Sequence, residues 1–289
     1  MPIILDGKKL SEQIKSELKV KVQALKSSGK KIGLAAVLIG DNPASEVYVR
    51  AKAKFSDEIG IYSEIVRPPA GVSTAGLIEA VRSLNSRSDI TGIIVQSPLP
   101  KRIDEREVSE AISPAKDVDG FHPQNLGRLI LGQPAFVPCT PLAILEILKR
   151  YNFSPAGKHC VIVGRGIIVG KPLSMLLLEK SFGNATVTVC HSNTRDLSHH
   201  TRQADILIAA TGSSLLIKED MVREGAVVID VGINRVEDKS NPKGYRLVGD
   251  VDYDAVSKKA VAITPVPGGV GPMTVAMLLS NTVKAAETT

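Results

Sequence analysis

An apolar run, His159-Cys160-Val161-Ile162-Val163, passes without a break into Gly164-Arg165-Gly166-Ile167-Ile168-Val169-Gly170, and residues 172–178 after it keep a helical pattern. A buried strand, a glycine turn and a helix in that order read as the opening of a parallel β-α-β unit. The glycines follow a GxGxxxG spacing, which lets the backbone turn tightly and approach a pyrophosphate whose charge the helix N-terminus stabilises. An ordinary glycine-rich connection is the alternative. The three strand-like runs that follow, 186–190, 206–209 and 227–231, favour the dinucleotide reading.

Strand-like and helical segments alternate over the whole chain, so the expected class is α/β with parallel sheets flanked by helices. Leu10, Ile14, Leu18, Val22 and Leu25 keep helical spacing, and 33–39 reads as a buried strand. A helix over 43–59 is expected to start with Asn42 as N-cap and Pro43 in its first turn, and to stop at Gly60. Strands over 62–66 and 92–95 bracket a helix near 74–84. From Pro98 to Pro141 glycine and proline recur with no sustained period, which marks a boundary region. A helix over 141–151 leads into the second set of strands, the last of them over 261–263. We expect two lobes around a cleft, residues 1–138 and residues 139–289, with a final helix over 271–286 packing back on the first. No internal repeat is visible.

Composition narrows the class of function. With 289 residues, 43% of them hydrophobic, the chain has enough apolar surface to exclude disorder. Its longest apolar runs, 32–39 and 204–210, are far below the roughly 18–20 residues of a membrane span. Residues 1–19 lack the pattern of a secretory signal, and Cys139, Cys160 and Cys190 form no CxxC pair, so a reducing, cytoplasmic setting without a metal site is expected. The 36 basic and 30 acidic residues leave a charge of +6. That excess suits nucleic acid, a polyanionic small molecule or simple surface solubility. The absence of Trp and an aromatic content of 3% leave few platforms on which bases could stack.

Several residues are candidates for chemistry. The strand over 186–190 ends in His191-Ser192-Asn193-Thr194, with no carboxylate where an NAD site places one for the ribose hydroxyl, and Arg165 lies within the glycine turn. A guanidinium beside hydroxyls suits a 2′-phosphate, so NADP is expected over NAD. Asp230-Val231-Gly232-Ile233-Asn234 closes another strand and would face the nicotinamide half. Tyr48 and Lys52 are spaced i, i+4 beside an expected apolar stripe of Val47, Ala51 and Phe55. That margin is where a lysine loses hydration, as an acid/base group requires, although a surface lysine lying over a tyrosine has the same spacing. Val95-Gln96-Ser97 puts an uncharged amide at a strand end, and Asp119-Gly120 is also a routine turn signal. Pro267-Gly268-Gly269 begins a rigid turn before the last helix, suited to ligand contact or to a hinge.

Taken together, these segments resemble the methylenetetrahydrofolate dehydrogenase/methenyltetrahydrofolate cyclohydrolase family over essentially the whole chain. The matches are Ser45-Glu46-Val47-Tyr48-Val49-Arg50-Ala51-Lys52, Gly92 to Pro100, Lys116-Asp117-Val118-Asp119-Gly120-Phe121-His122-Pro123, Pro138-Cys139-Thr140-Pro141, Gly164 to Pro172, Asp230 to Asn234 and Pro267 to Thr274. The resemblance implies an N-terminal folate-binding catalytic domain and a C-terminal Rossmann-type NADP domain. It implies oxidation of 5,10-methylenetetrahydrofolate followed by hydrolysis to 10-formyltetrahydrofolate, within one-carbon metabolism and purine biosynthesis. It also implies that Lys52 is the acid/base group, Gln96 tunes it, Tyr48 packs on the folate and Asp119 binds the pterin edge. Val95, Ser97, Pro267, Gly268 and Gly269 would line the substrate, while Gly164, Arg165, Gly166, Ser192 and Ile233 would hold NADP. A homodimer, pairing through strands near Val187, and folate substrates with or without a polyglutamate tail are expected partners, with neither nucleic acid nor membrane among them. Two positions depart from the usual pattern: Gly166 stands where Ser is usual, and Ser97 where Leu is usual.

Two competing readings have their own discriminators. A shikimate-type reductase shares the two-lobe layout and leaves Gln96, Asp119 and the turn from Pro267 to Thr274 unexplained. A catalytically silent nucleotide sensor or nucleic-acid binder would bind duplex in a salt-dependent manner and ignore folate.

Overall fold

The computed structural model describes residues 1–241 and 244–288, which divide into two compact units. One holds residues 1–11 and 140–274, the other residues 12–139 and those from 275 onward. Among the described residues no helix is long and apolar enough to cross a membrane.

Strand β1 (Ile3–Ile4) opens the chain and helix α1 (Gly7–Ser27) follows. Leu10, Ile14, Leu18 and Val22 are buried, as their spacing on one face of α1 requires. Next come β2 (Gly33–Val37), α2 (Pro43–Ile59), β3 (Tyr62–Val66), α3 (Thr74–Ser86) and β4 (Gly92–Val95). Asn42 Oδ1 accepts from the Ser45 N–H at 3.2 Å, so α2 starts from a side-chain cap. The fully buried β2 is central and pairs in parallel with β3 and β4. Leu77, Val81 and Leu84 of α3 pack with Ala35, Val37 and Ile93 to cover this sheet.

Beyond β4, the stretch expected to be loop contains two short helices, α4 (Glu105–Ala111) and α5 (Pro123–Ile130). Two turns are too few to display a period, and caps encode them instead. Asp104 accepts from the N–H groups of Arg106 and Glu107, and His122 Nδ1 from that of Gln124 ahead of Pro123. Ile93 and Asp117 form an isolated parallel bridge, so the chain touches β4 at Asp117 and then turns, with Asp119 in the turn.

The remaining elements are α6 (Cys139–Arg150), β5 (His159–Val163), α7 (Gly170–Leu178), β6 (Thr186–Cys190), α8 (Leu197–Thr201), β7 (Ile206–Ala209), β8 (Val227–Asp230), β9 (Asn234–Glu237), β10 (Tyr245–Val248), α9 (Tyr253–Val256), β11 (Ala262–Ile263) and α10 (Val270–Thr288). A six-stranded sheet runs in the order β1-β11-β8-β7-β5-β6 with every pairing parallel. Its inner strands β7 and β8 are buried throughout, which is why they read as unbroken apolar runs. The chain leaves β5 for β6 on one side and returns to β7 on the other, so the winding reverses between β5 and β7.

Two expectations are corrected, and one element is added. The first eleven residues do not belong with residues 12–138: β1 pairs with β11, Ile3 opposite Ala262, and so joins the six-stranded sheet. A two-residue strand carries no periodicity from which to read that. The strand expected over 33–39 ends at Val37, although Leu38 and Ile39 stay buried. The antiparallel ribbon β9–β10 was not anticipated, because Arg235, Glu237 and Arg246 point outward from it and no apolar run marks it.

Asn281 is buried on α10, and its Nδ2 donates to the carbonyls of Val118 at 2.8 Å and Val137 at 3.0 Å. Removing that amide takes the donor from the buried Val137 carbonyl and leaves that of Val118 with the weak Cys139 thiol. Asn281→Ala is expected to lower the unfolding free energy by about 2 kcal/mol, read from the urea midpoint.

Candidate active site

Helix α2 positions the first group. Its buried stripe is Ser45, Val49, Ser56 and Ile59, and Lys52 falls within that stripe, half-buried, between Val49 and Ser56. The expected stripe of Val47, Ala51 and Phe55 is not the buried one: Val47 is 66% exposed. Glu46 braces the start of the helix. It accepts from Arg50 Nε at 2.6 Å and from Arg67, just past β3, at 2.8 Å on both oxygens. Those two guanidinium groups hold its carboxyl below the usual range. Tyr48 lies one turn before Lys52 with its ring 44% exposed.

Strand β4 supplies the partner. Val95 ends the strand, and the Gln96 N–H donates to the Val37 carbonyl at 2.9 Å, extending the ladder by one rung. From there Gln96 Oε1 accepts from Lys52 Nζ at 3.0 Å, and Gln96 Nε2 donates to the Ser97 carbonyl at 2.7 Å. An amide that accepts from an ammonium with its oxygen and anchors its nitrogen elsewhere holds that ammonium in one place.

Asp119 is set by a neighbour that drew no attention as a functional residue. Asp117, 2% exposed, accepts from the N–H groups of Gly120, Phe121 and His122 and from Asn125 Nδ2. Burial pushes its carboxyl up, and the donated hydrogen bonds oppose that. Four donors around one carboxylate close the loop and leave Asp119 half-buried on it. Burial and then the Asp119 carboxylate raise the Cys139 thiol well above its ordinary value, while Lys52 acts the other way. Asp119 and Lys52 therefore both act on the same buried thiol.

In the other unit, Gly164, Arg165, Gly166, Ser192 and Ile233 all follow the carboxyl ends of β5, β6 and β8. At the reversal between β5 and β7, a Cβ on Gly164 would stand 2.1 Å from the Ala210 carbonyl oxygen, and one on Gly170 2.0 Å from that of Gly164. Only glycine permits strand, loop and helix to meet this closely. By contrast, a Cβ on Gly166 would meet nothing within 4 Å, so the exposed turn has room for a ligand. The N-cap residue of α7, Val169, supplies no side-chain cap to its N–H groups. Arg165 and Ser192 are both exposed at this edge. No carboxylate lies in the turn from His191 to Thr194, and the next one along, Asp196, caps α8 by accepting from the His199 N–H. Open glycine backbone, a helix N-terminus and an arginine in place of a carboxylate fit a dinucleotide carrying an extra phosphate.

Two buried aspartates, Asp230 of the segment expected to face the nicotinamide and Asp250, which went unassigned, organise the same edge. Asp230 accepts from the N–H groups of Gly232, Asp250 and Val251, each at 2.9 Å. Asp250 accepts from the N–H groups of Thr211 and Gly212 and from Asn234 Nδ2. Together they tie the ends of β7, β8 and β9 and leave Ile233 47% exposed. After β11, Pro267 is exposed, the Gly268 carbonyl accepts from the Lys8 N–H at 2.9 Å, and Gly269 is buried.

Two α/β units, one presenting an ammonium held by an amide and the other a dinucleotide turn at a winding reversal, define a two-domain nucleotide-dependent enzyme. Residues 5–119 match the model of the tetrahydrofolate dehydrogenase/cyclohydrolase catalytic domain, and residues 138–289 that of the same family's NAD(P)-binding domain. A bifunctional protein FolD from Chloroherpeton thalassium is 57% identical over 289 residues, 99% of this chain and 98% of that one. The structure of the bifunctional FolD methylenetetrahydrofolate dehydrogenase/cyclohydrolase of Campylobacter jejuni matches with a TM-score of 0.95 at 49% identity, covering 100% and 99% of the two chains. That of the Trypanosoma brucei enzyme, complexed with NADP cofactor and inhibitor, matches with a TM-score of 0.94 at 40% identity, covering 99% and 98%. The chain belongs to the tetrahydrofolate dehydrogenase/cyclohydrolase family.

Burial, with Asp250 adding to it against three donated hydrogen bonds, pushes the Asp230 carboxyl up to about 6. Because the folded value lies above the unfolded one, the stability this group contributes is complete below about pH 4 and lost as pH rises through about 6. Titration of the Asp230 carboxyl carbon by NMR should show a midpoint near 6; an ordinary carboxylate midpoint would contradict the buried clasp.

Proposed function

We propose that the chain oxidises 5,10-methylenetetrahydrofolate with NADP and hydrolyses the 5,10-methenyl product to 10-formyltetrahydrofolate, with Lys52 as the proton-transfer group of the hydrolysis. The observation that carries this reading is the 3.0 Å hydrogen bond from Lys52 Nζ to Gln96 Oε1, in a chain of this family.

Bound NADP supplies the acceptor for a hydride from the methylene carbon. On this reading the turn of Gly164, Arg165 and Gly166, with Ser192 and Ile233, holds it, and the Arg165 guanidinium pairs with the 2′-phosphate. In the hydrolysis, water adds to the cationic methenyl carbon and gives its proton to the Lys52 amine. The C–N5 bond of the resulting carbinolamine then breaks, its hydroxyl becomes the formyl oxygen, and N5 takes a proton from the Lys52 ammonium. The net reaction consumes one water and releases one proton. Gln96 keeps Nζ aimed through both transfers. Asp119, a carboxylate beside this group, suits the N–H donors of the pterin edge, and the exposed Tyr48 ring suits stacking on the folate. Val95, Ser97, Pro267, Gly268 and Gly269 are proposed to line the substrate, with or without a polyglutamate tail. A cytoplasmic setting, in which the formyl product serves acceptors such as purine precursors, agrees with three free, buried cysteines.

Steady-state assays of two variants test the assignments together. Lys52→Met is expected to lose methenyl hydrolysis by about 10²-fold or more while binding NADP as before; equal loss of both would mean misfolding. Arg165→Ala is expected to lower kcat/KM with NADP by about 30-fold and to leave the NAD reaction nearly unchanged.

We also propose a homodimer. Strand β6 lies at the edge of its sheet, and Val189 on it is 37% exposed. Light scattering at micromolar concentration should give twice the chain mass, and a monomer would refute the pairing.

A further inference from the structure

The Lys52–Gln96 pair continues outward to the surface. Gln96 Nε2 donates to the Ser97 carbonyl, and the Ser97 hydroxyl donates to the Glu105 carboxylate at the start of α4. Three hydrogen bonds therefore run in series from Lys52 Nζ through Gln96 and Ser97 to Glu105.

The middle link is the vulnerable one. A glutamine amide has two ends of nearly equal size, and only the oxygen end can accept from an ammonium. Which end faces Lys52 depends on the acceptor available to Nε2, and that acceptor is the Ser97 carbonyl. The peptide group between residues 97 and 98 has no N–H, because residue 98 is proline. That peptide has no N–H of its own to fix its plane, and the Ser97 hydroxyl beside it supplies an anchor.

What that anchor grips is well fixed. Helix α4 buries Val108, with Ile103 and Ile112 buried at its two flanks in the same core cluster. The Asp104 N–H donates to Thr74 Oγ1 at 3.1 Å and the Ile103 N–H to the Pro100 carbonyl at 2.9 Å. Arg102 reaches the carbonyls of Ala70 and Val72. Glu105, in the first turn of α4, carries a negative charge where the helix dipole favours one. The carboxylate is thus a charged acceptor on a braced element, and a hydroxyl bond to it is stronger than a neutral one.

We propose that Glu105 is a positioning residue for the hydrolytic step: through Ser97 it fixes the carbonyl that turns the Gln96 oxygen toward Lys52. This rests on Lys52 and Gln96 acting as proposed above. Glu105 touches no reacting atom, and its pair with Ser97 is exposed, so it contributes little to stability. Its effect belongs to the turnover rate and not to substrate affinity.

The test compares hydrolysis of methenyltetrahydrofolate with NADP-dependent oxidation in one set of full-length variants. Glu105→Ala should lower kcat for hydrolysis by about fivefold, as loss of one hydrogen bond would, with its KM and the oxidation unchanged. Glu105→Gln, which keeps an acceptor, should retain most of that kcat. In Ser97→Ala, adding Glu105→Ala should cost nothing more, since both changes break the same link. Wild-type hydrolysis by Glu105→Ala, multiplicative losses in the double variant, or a parallel fall of both activities and Tm would each overturn the proposal. Lys52→Met separates the two layers. If it still hydrolyses, the acid/base reading fails and this proposal falls with it; if only Glu105→Ala is silent, the acid/base reading stands alone.

Discussion

Strands of a parallel sheet all point the same way, so the loops that follow them all leave from one edge. Both units of this chain inherit their chemistry from that constraint. In one, β2 and β4 end side by side, Gln96 follows β4, and the bridge at Ile93 brings Asp117 alongside with Asp119 in the turn after it. In the other, the turn from Gly164, the turn from His191 and the Asp230 to Asn234 segment emerge together. No residue had to be placed singly.

The edges are held by buried polar groups. A buried carboxylate or amide is costly unless each of its oxygens and hydrogens finds a partner, and among the described residues none of the buried side-chain polar atoms lacks one. Asp117 gathers four donors and so shapes the loop that presents Asp119. Asp230 and Asp250 gather six between them and so shape the loop that exposes Ile233. These side chains cannot move without orphaning backbone N–H groups, which makes them scaffolding for their more exposed neighbours.

Much of this was legible before any coordinate. Strands β3 to β7 and helix α2 are long enough, or apolar enough, to announce themselves, and the glycine turn after β5 has a spacing few other structures need. What escaped notice is short or polar. Helices α4 and α5 are written in their caps, β1 has two residues, and β9 and β10 alternate charge with half-burial. Asp117, Asp250 and Asn281 were passed over because burial is not a property of a residue type. Asn281 lies in a polar triplet, Ser280-Asn281-Thr282, that interrupts the apolar run 275–279.

The sequence by itself determined the class of fold, most of its longer strands and helices and the residue types available for chemistry, because periodicity, glycine spacing and caps are local properties. Tertiary structure alone decided which of them act together. Lys52 and Gln96 are 44 positions apart, and nothing along the chain states that their side chains meet at 3.0 Å. It also decided that Val47 is exposed while Lys52 enters the buried stripe of α2, since the buried face is set by what the sheet presents to the helix. Contacts across such separations arise from parallel pairing, which brings distant segments into register only once the sheet exists.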